Sequence, residues 1–221
     1  MLKNMKMKFP ALKNIKVVCF DFDGTVADSM TALTEIAIDV LTAAYQIEKD
    51  MARKMYIETT GLAFEQQLNL MFPARIENVD IAKKFEELKR KKYLDLKPVT
   101  GVIEIFSYLR EKKYKTVISS STYLHLIEAF VKKYGIKSDL LLGYQPHFKK
   151  GKDHFQFIQM KFDVLSKHIC YIGDSINDYK LAKDSDVPFI AKGGLVDCKE
   201  FHKLDPAIPF IDNILELKKF L

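Results

Sequence analysis

The sequence predicts a doubly wound, Rossmann-like parallel α/β sheet with an all-helical segment inserted after its first strand. Three observations carry this. Short apolar runs recur along the chain with little polar–apolar alternation, as in strands buried on both faces. Segments with apolar residues at helical spacing separate most of these runs. One stretch, 29–97, holds helical patterns and no strand pattern.

The strand candidates are Val17 to Phe20, Thr116 to Ile118, Leu140 to Leu142, Ile169 to Ile172 and Pro188 to Ala191, with Ile208 to Ile211 as a sixth. Val102, Ile105, Phe106 and Leu109 recur at helix spacing behind Gly101. Leu124, Ile127, Phe130 and Val131 repeat that pattern and end near Gly135, and Phe155, Ile158 and Phe162 repeat it again. Strands alternating with helices read as a parallel sheet covered on both faces. In the insert, Leu33, Ile36, Val40, Leu41 and Ala44 make one amphipathic helix. Phe64, Leu68 and Met71 make a second, starting after Gly61. Ile81, Phe85 and Leu88 make a third, whose exposed face is expected to carry Lys83, Lys84, Lys89 and Arg90. Pro98 and Gly101 punctuate the return to the sheet. The expected division is an α/β core of residues 1–28 and 98–221 with a helical cap domain of residues 29–97.

With 221 residues, 48% of them hydrophobic, the chain is long enough to bury a sizeable core. Its net charge is +6, from 35 Lys and Arg against 29 Asp and Glu. That excess is compatible with an anionic substrate or a nucleic acid, and equally with a lysine-rich solvated surface. No apolar run approaches the ~20 residues of a membrane span. The segment Met1 to Lys16 alternates Lys with Met, Leu and Phe, without the continuous apolar stretch of a secretory signal. The three cysteines, Cys19, Cys170 and Cys198, are far apart and lack metal-site spacing, which suits a reducing, cytoplasmic location. Cys19 and Cys170 fall inside apolar runs, where cysteine is ordinary core filling.

The strongest chemical signal is Asp21-Phe22-Asp23-Gly24-Thr25, directly after the run Val17 to Phe20. Carboxylates at i and i+2 on a strand end point to one side, and the carboxyl edge of an open parallel sheet is where ligands bind. Such a pair can hold a cation and divide nucleophile and acid–base roles; as a bland alternative it is a polar turn. Gly173-Asp174-Ser175-Ile176-Asn177-Asp178 repeats the arrangement after Ile169 to Ile172. Asp174 can complete a hard-cation site with Asp21, and Asp178 lies one helical turn on; helix capping by Asp174 or Ser175 is the competing reading. Ser119-Ser120-Ser121-Thr122 is placed to hold phosphate oxygens at a helix N-terminus, or simply to cap that helix. Lys149-Lys150-Gly151-Lys152 offers a cation for a phosphate, or a solvated basic loop.

In order and context these four pieces resemble the four motifs of the haloacid dehalogenase-like hydrolases, and the resemblance spans most of the chain. The helical insert between the first two motifs resembles the subclass with an α-helical cap, such as phosphoglycolate phosphatases and β-phosphoglucomutase. The resemblance implies a phosphatase acting on a small phosphorylated substrate with Mg2+. It implies Asp21 as nucleophile forming an aspartyl-phosphate, and Asp23 as general acid and then base, its backbone carbonyl a metal ligand. Asp174 is implied as the third ligand, and Asp178 as a ligand or the orienter of one. For the second motif Ser120 is favoured, because Lys115 to Ser120 lines up without gaps with relatives reading Lys, three hydrophobic residues, Ala and Ser; Ser119 stays open. The third motif departs from the family. Many capped members read Lys-Pro-x-Pro-Asp, whereas residues 149–153 lack both prolines. Spacing back from Asp174 points to Lys149, and members with Lys-Gly point to Lys150.

Within the family, Asp23 argues against a dehalogenase, and the first motif is not that of a phosphonatase. A phosphomutase shares all four motifs. From another class, a non-catalytic binding protein on the same fold, with nucleic acid as partner, has no need of Asp21, Asp23 and Asp174 together. Monomer and dimer both stay open, and no membrane partner is expected.

Overall fold

The structure is a computed structural model that describes residues 12, 14–93 and 95–221. The signal-peptide reading falls mostly on residues 1–11 and 13, outside the described residues.

Six strands form one sheet in the order β3-β2-β1-β4-β5-β6. They are β1 (Val17–Phe20), β2 (Lys115–Tyr123), β3 (Leu140–Tyr144), β4 (Ile169–Gly173), β5 (Phe189–Lys192) and β6 (Phe210–Ile211), all paired in parallel. The order reverses at β1, so the carboxyl ends of β1, β2 and β4 face one crevice, with Phe20 level with Ile118 and Ile172. All four β1 residues are buried because the sheet is covered on both faces. Val18, Phe20, Ile118 and Ile172 join one apolar cluster, with α5 (Val102–Glu111) and α6 (Leu124–Tyr134). Val17, Cys19, Val117 and Tyr171 join the other, with α7 (Lys152–Phe162), α8 (Ile176–Lys183) and α9 (Cys198–Leu204). Cys19 and Cys170 are buried free thiols, as expected of core filling.

Between β1 and α5 lie four helices: α1 (Met30–Tyr45), α2 (Lys49–Thr59), α3 (Phe64–Met71) and α4 (Asn78–Tyr93). Three were legible from periodicity. The fourth, α2, buries only Ala52 and Tyr56, so it presents no apolar stripe. Leu33, Phe64 and Phe85 of the insert join the apolar cluster on the α5–α6 face, and the Phe64 and Phe85 rings stack at 3.9 Å. The two chain crossings between sheet and insert run side by side: Asp28 N–H donates to Lys97 O and Val99 N–H to Val26 O, each at 2.9 Å.

Two expectations need correction. The run Ser119 to Thr122 is not the start of a helix; β2 continues through it to Tyr123, which pairs with Tyr144, and α6 begins only at Leu124. Lys89 is not on the exposed face of α4. It is buried, while Lys83, Lys84 and Arg90 are exposed.

Candidate active site

Asp21 follows β1 directly, and its N–H donates to Ile172 O of β4 at 2.8 Å, which fixes the end of one central strand against the other. Asp174 follows β4, and Asp178 stands in the first turn of α8. Carboxylate oxygens of Asp21, Asp174 and Asp178 lie within 4.8 Å of one another, all three residues buried. Capping and site-building coincide here. Ser175 Oγ accepts from Asp178 N–H at 3.1 Å, and Ser175 N–H donates to Asp178 Oδ2 at 3.1 Å, so the cap that starts α8 also aims Asp178. Tyr171, buried in β4, donates its hydroxyl to Asp178 Oδ1 at 2.8 Å. Gly24 turns the chain away with φ +84°, and a Cβ there would overlap Asp174 Oδ2, so this crowded turn requires glycine.

Of the two lysines left open by spacing, Lys150 reaches the cluster and Lys149 does not. Lys150 Nζ donates to Asp21 Oδ1 at 2.5 Å and sits 2.6 Å from Asp178 Oδ1. Lys149 is exposed, and its backbone N–H is engaged by Asp153 Oδ2 at 2.9 Å. The charges do not balance. Burial, with the Asp178 and Asp174 charges, pushes the Asp21 carboxyl up against the pull of Lys150. Burial and then Asp178 push Asp174 up to about 7. Lys150 is held protonated: burial opposes its charge, but Asp178 and Asp21 outweigh it. The three buried carboxylates outnumber the cations near them, Lys150 and, beside Asp174, Lys192, in a donor set made only of oxygens. That set fits a hard divalent cation such as Mg2+.

Asp23, two residues from Asp21, contributes no carboxylate to that cluster. Its carboxylate accepts from Ser29 Oγ at 2.7 Å, from Thr122 Oγ1 at 2.6 Å and from the Tyr93 hydroxyl, with Lys89 Nζ 3.6 Å from Oδ2. Burial works against this charge, but Lys89 and the three hydroxyls prevail and hold the Asp23 carboxyl below its usual range.

The chain matches the sequence pattern of the haloacid dehalogenase-like hydrolases over residues 18–192. It belongs to that family. Solved structures show the same fold. A predicted phosphatase from Clostridium acetobutylicum is 18% identical with a TM-score of 0.79, over 93% of this chain and 97% of its own. A haloacid dehalogenase-like hydrolase from Streptococcus pneumoniae is 16% identical with a TM-score of 0.77, over 94% and 99%. CbbY from Rhodobacter sphaeroides, solved with phosphate, is 17% identical with a TM-score of 0.71, over 92% and 96%. No curated protein matches the chain. Among the described residues no helix is long and apolar enough to cross a membrane.

In this hydrolase Ser119 and Ser120, the two candidate hydroxyls, face opposite sides of β2, as successive strand residues do. Ser120 lines the crevice, and its Oγ accepts from Thr122 N–H at 2.9 Å. Ser119 turns the other way and shares a hydrogen bond with His154 Nδ1 at 2.8 Å. The insert closes over the crevice through the loop after α2. Asn177 Nδ2 donates to Thr60 O at 2.6 Å, Ser121 Oγ to Gly61 O at 3.0 Å, and Lys150 Nζ approaches Gly61 O at 3.5 Å. The crevice has a volume of about 40 Å³ and is lined by Asp21, Asp23, Ser120, Lys150 and Asp174 from the core and by Phe64, Phe85, Glu86 and Lys89 from the insert.

Lys89, Tyr93 and Tyr171 are site residues that sequence reasoning missed. Tyr171 sits in an apolar strand, and Lys89 and Tyr93 sit on a helix whose lysines mostly face solvent. The one available signal was spacing: Phe85, Lys89 and Tyr93 fall four apart on a single helix stripe.

Proposed function

We propose that this hydrolase is a Mg2+-dependent phosphatase that cleaves a small phosphate monoester through an aspartyl-phosphate on Asp21. The observation that carries this is the division of environments between Asp21 and Asp23. One carboxylate is in a charge cluster suited to a cation and a phosphoryl group, and the other is in a separate hydroxyl-and-lysine pocket two residues on.

Asp21, Asp174 and Asp178 would hold the cation, with the Asp23 backbone carbonyl as a further ligand. The cation would neutralise charge on the transferring phosphoryl group and keep Asp21 ionised. Asp21 Oδ attacks phosphorus, the ester oxygen leaves, and Asp23 delivers a proton to it. Lys150 and Ser120 orient the phosphoryl oxygens. Water then attacks the aspartyl-phosphate, Asp23 takes its proton, and Asp21 and inorganic phosphate are regenerated. Asp23 as held here is the form ready for this second step. Two of the groups that stabilise its charge, Lys89 and Tyr93, belong to α4. Opening of the insert, residues 29–97 acting as a cap, would withdraw both and move the Asp23 carboxyl back up toward its usual range, which makes the protonated form needed for the first step more accessible. The small volume beneath the insert also favours opening for substrate to enter.

The test is release of inorganic phosphate from an aryl phosphate, with acid-quench trapping of a covalent phosphoprotein. The wild type should turn over and trap label. Asp21→Asn should do neither while melting at an unchanged or higher temperature, since it removes one of three repelling carboxylates. Near-normal turnover by the folded variant would overturn the assignment.

A further inference from the structure

Glu86 lines the same small cavity as the Asp21–Lys150 cluster, yet nothing in the proposed chemistry uses it. Its Oε2 is shut from solvent and meets no donor among the described residues. Burial pushes this carboxyl up, against the pull of Lys89. An enclosed acceptor without a donor is costly to leave that way, so its place in the cavity points to a donor brought by the ligand.

The cations around the cavity narrow that ligand. Lys89 and Lys150 are the ones that line it, against Asp21, Asp23, Glu86 and Asp174. Lys150 is committed to Asp21 and Asp178. Lys89 donates to Thr122 Oγ1 at 2.6 Å and lies 3.6 Å from Asp23 Oδ2. On the leaving-group side, the ammonium of Lys89 therefore faces two carboxylates, Asp23 and Glu86, and the local balance is negative. A carboxylate or second phosphate on the leaving group finds no uncommitted cation there and meets the Glu86 oxygen instead. A hydroxyl or an ammonium group supplies the donor that Glu86 lacks. Phe64 and Phe85 close the apolar side and favour a small group.

On the reading of this protein as a phosphatase, we propose that Glu86, assisted by Lys89, forms the leaving-group subsite and selects small phosphate monoesters whose leaving group carries a hydrogen-bond donor and no negative charge.

The test is a kcat/KM panel on the full-length protein with Mg2+: glycerol phosphate for a hydroxyl donor, phosphoethanolamine for an ammonium donor, phosphoglycolate for a carboxylate, and phenyl phosphate as the plain ester. Glycerol phosphate or phosphoethanolamine should exceed phosphoglycolate by about tenfold or more, the scale on which a polar pocket discriminates. The better of the two identifies the donor. Glu86→Gln, near-isosteric and checked by its melting curve, should shrink that ratio about tenfold by removing the negative charge. The wild-type ranking requires no variant. Phosphoglycolate ranking first, or a ratio that Glu86→Gln leaves in place, overturns the proposal while the phosphatase reading stands. A panel silent throughout, phenyl phosphate included, overturns both.

Discussion

Lys150 Nζ lies 2.6 Å from Asp178 Oδ1, buried in the cluster, while the adjacent Lys149 is exposed. The same ammonium donates to Asp21, so one cation ties the end of β1 to the start of α8. Removing it should leave Asp21, Asp174 and Asp178 uncompensated. Lys150→Met is expected to destabilise the metal-free protein by about 3–5 kcal/mol, the range for breaking a buried pair. It should also lower kcat by ~10²-fold or more as a phosphoryl-orienting donor is lost. Lys149→Met should stay within about 0.5 kcal/mol of wild type in a urea melt. Equal effects of the two substitutions would return the third motif to its two-lysine ambiguity.

The acidic cluster makes stability and cation binding two readings of one charge imbalance. Mg2+ in 100-fold excess over its Kd should stabilise the folded protein by about 2.7 kcal/mol, and EDTA should remove both that increment and turnover. Asp174→Asn is expected to behave oppositely in the two states. It relieves repulsion among buried carboxylates, so the metal-free variant should melt no lower than wild type, but it should gain little from Mg2+. Melting curves of both proteins with and without the cation check this. A full Mg2+ shift in the variant would remove Asp174 from the ligand set.

His154 supplies a pH dependence opposite in sign to that of the raised carboxyls Asp21 and Asp174. It is fully buried, and burial, followed by the Lys150 charge, moves its imidazole from the ordinary 6.5 down to about 4. Between those values the unfolded chain binds a proton that the folded protein does not, so stability rises with pH. The contribution is complete above about pH 6.5 and is lost as pH falls toward 4, a change of roughly 3 kcal/mol at 1.36 kcal/mol per unit. Asp21 and Asp174, whose carboxyls are pushed up, act with the opposite sign over the same window, so the His154 contribution is read as the difference in urea midpoint between wild type and His154→Gln from pH 4 to 7. That difference should grow as pH rises from 4 to 6.5 and then level off, and a difference that does not change with pH would remove His154 from the titration.

Legibility tracked how much of each signal lay in local pattern. The strands β1 and β4 are short, buried on both faces and followed by carboxylates, so Asp21, Asp23, Asp174 and Asp178 could be singled out without coordinates. The extension of β2 was hidden because Ser119 to Thr122 carry hydroxyls that read as caps. Pairing with β3 holds Ser119 and Tyr123 at the two ends of the run, with the register shifting between them. Adjacent lysines offer no periodicity to separate Lys149 from Lys150; what separates them is contact with Asp21 and Asp178, both distant in the chain. Lys89 and Glu86 were lost among the charges of α4. What buries Lys89 is the approach of Thr122 and Asp23 from distant parts of the chain.

Gly61 offers a way to separate the proposed closing role of the insert from its packing role. It has φ +92°, and a Cβ there would overlap Ser175 Oγ and lie 3.1 Å from Asn177 Cβ. Ser175 cannot yield freely, because its hydroxyl caps α8 and helps hold Asp178. Gly61→Ala should therefore wedge the loop away from the core, loosening the Thr60–Asn177 and Gly61–Ser121 contacts. Lifting of the insert relieves the clash, so the main stability cost is the backbone conformation, about 1–3 kcal/mol. Catalysis depends on the closed arrangement, so kcat should fall by about tenfold or more, and unequally across substrates that fill the cavity differently. If the insert only covered apolar surface, the variant would melt lower yet keep the wild-type kcat and substrate ranking per folded molecule. Steady-state kinetics on at least two phosphate monoesters, normalised to the folded fraction, decide between the two.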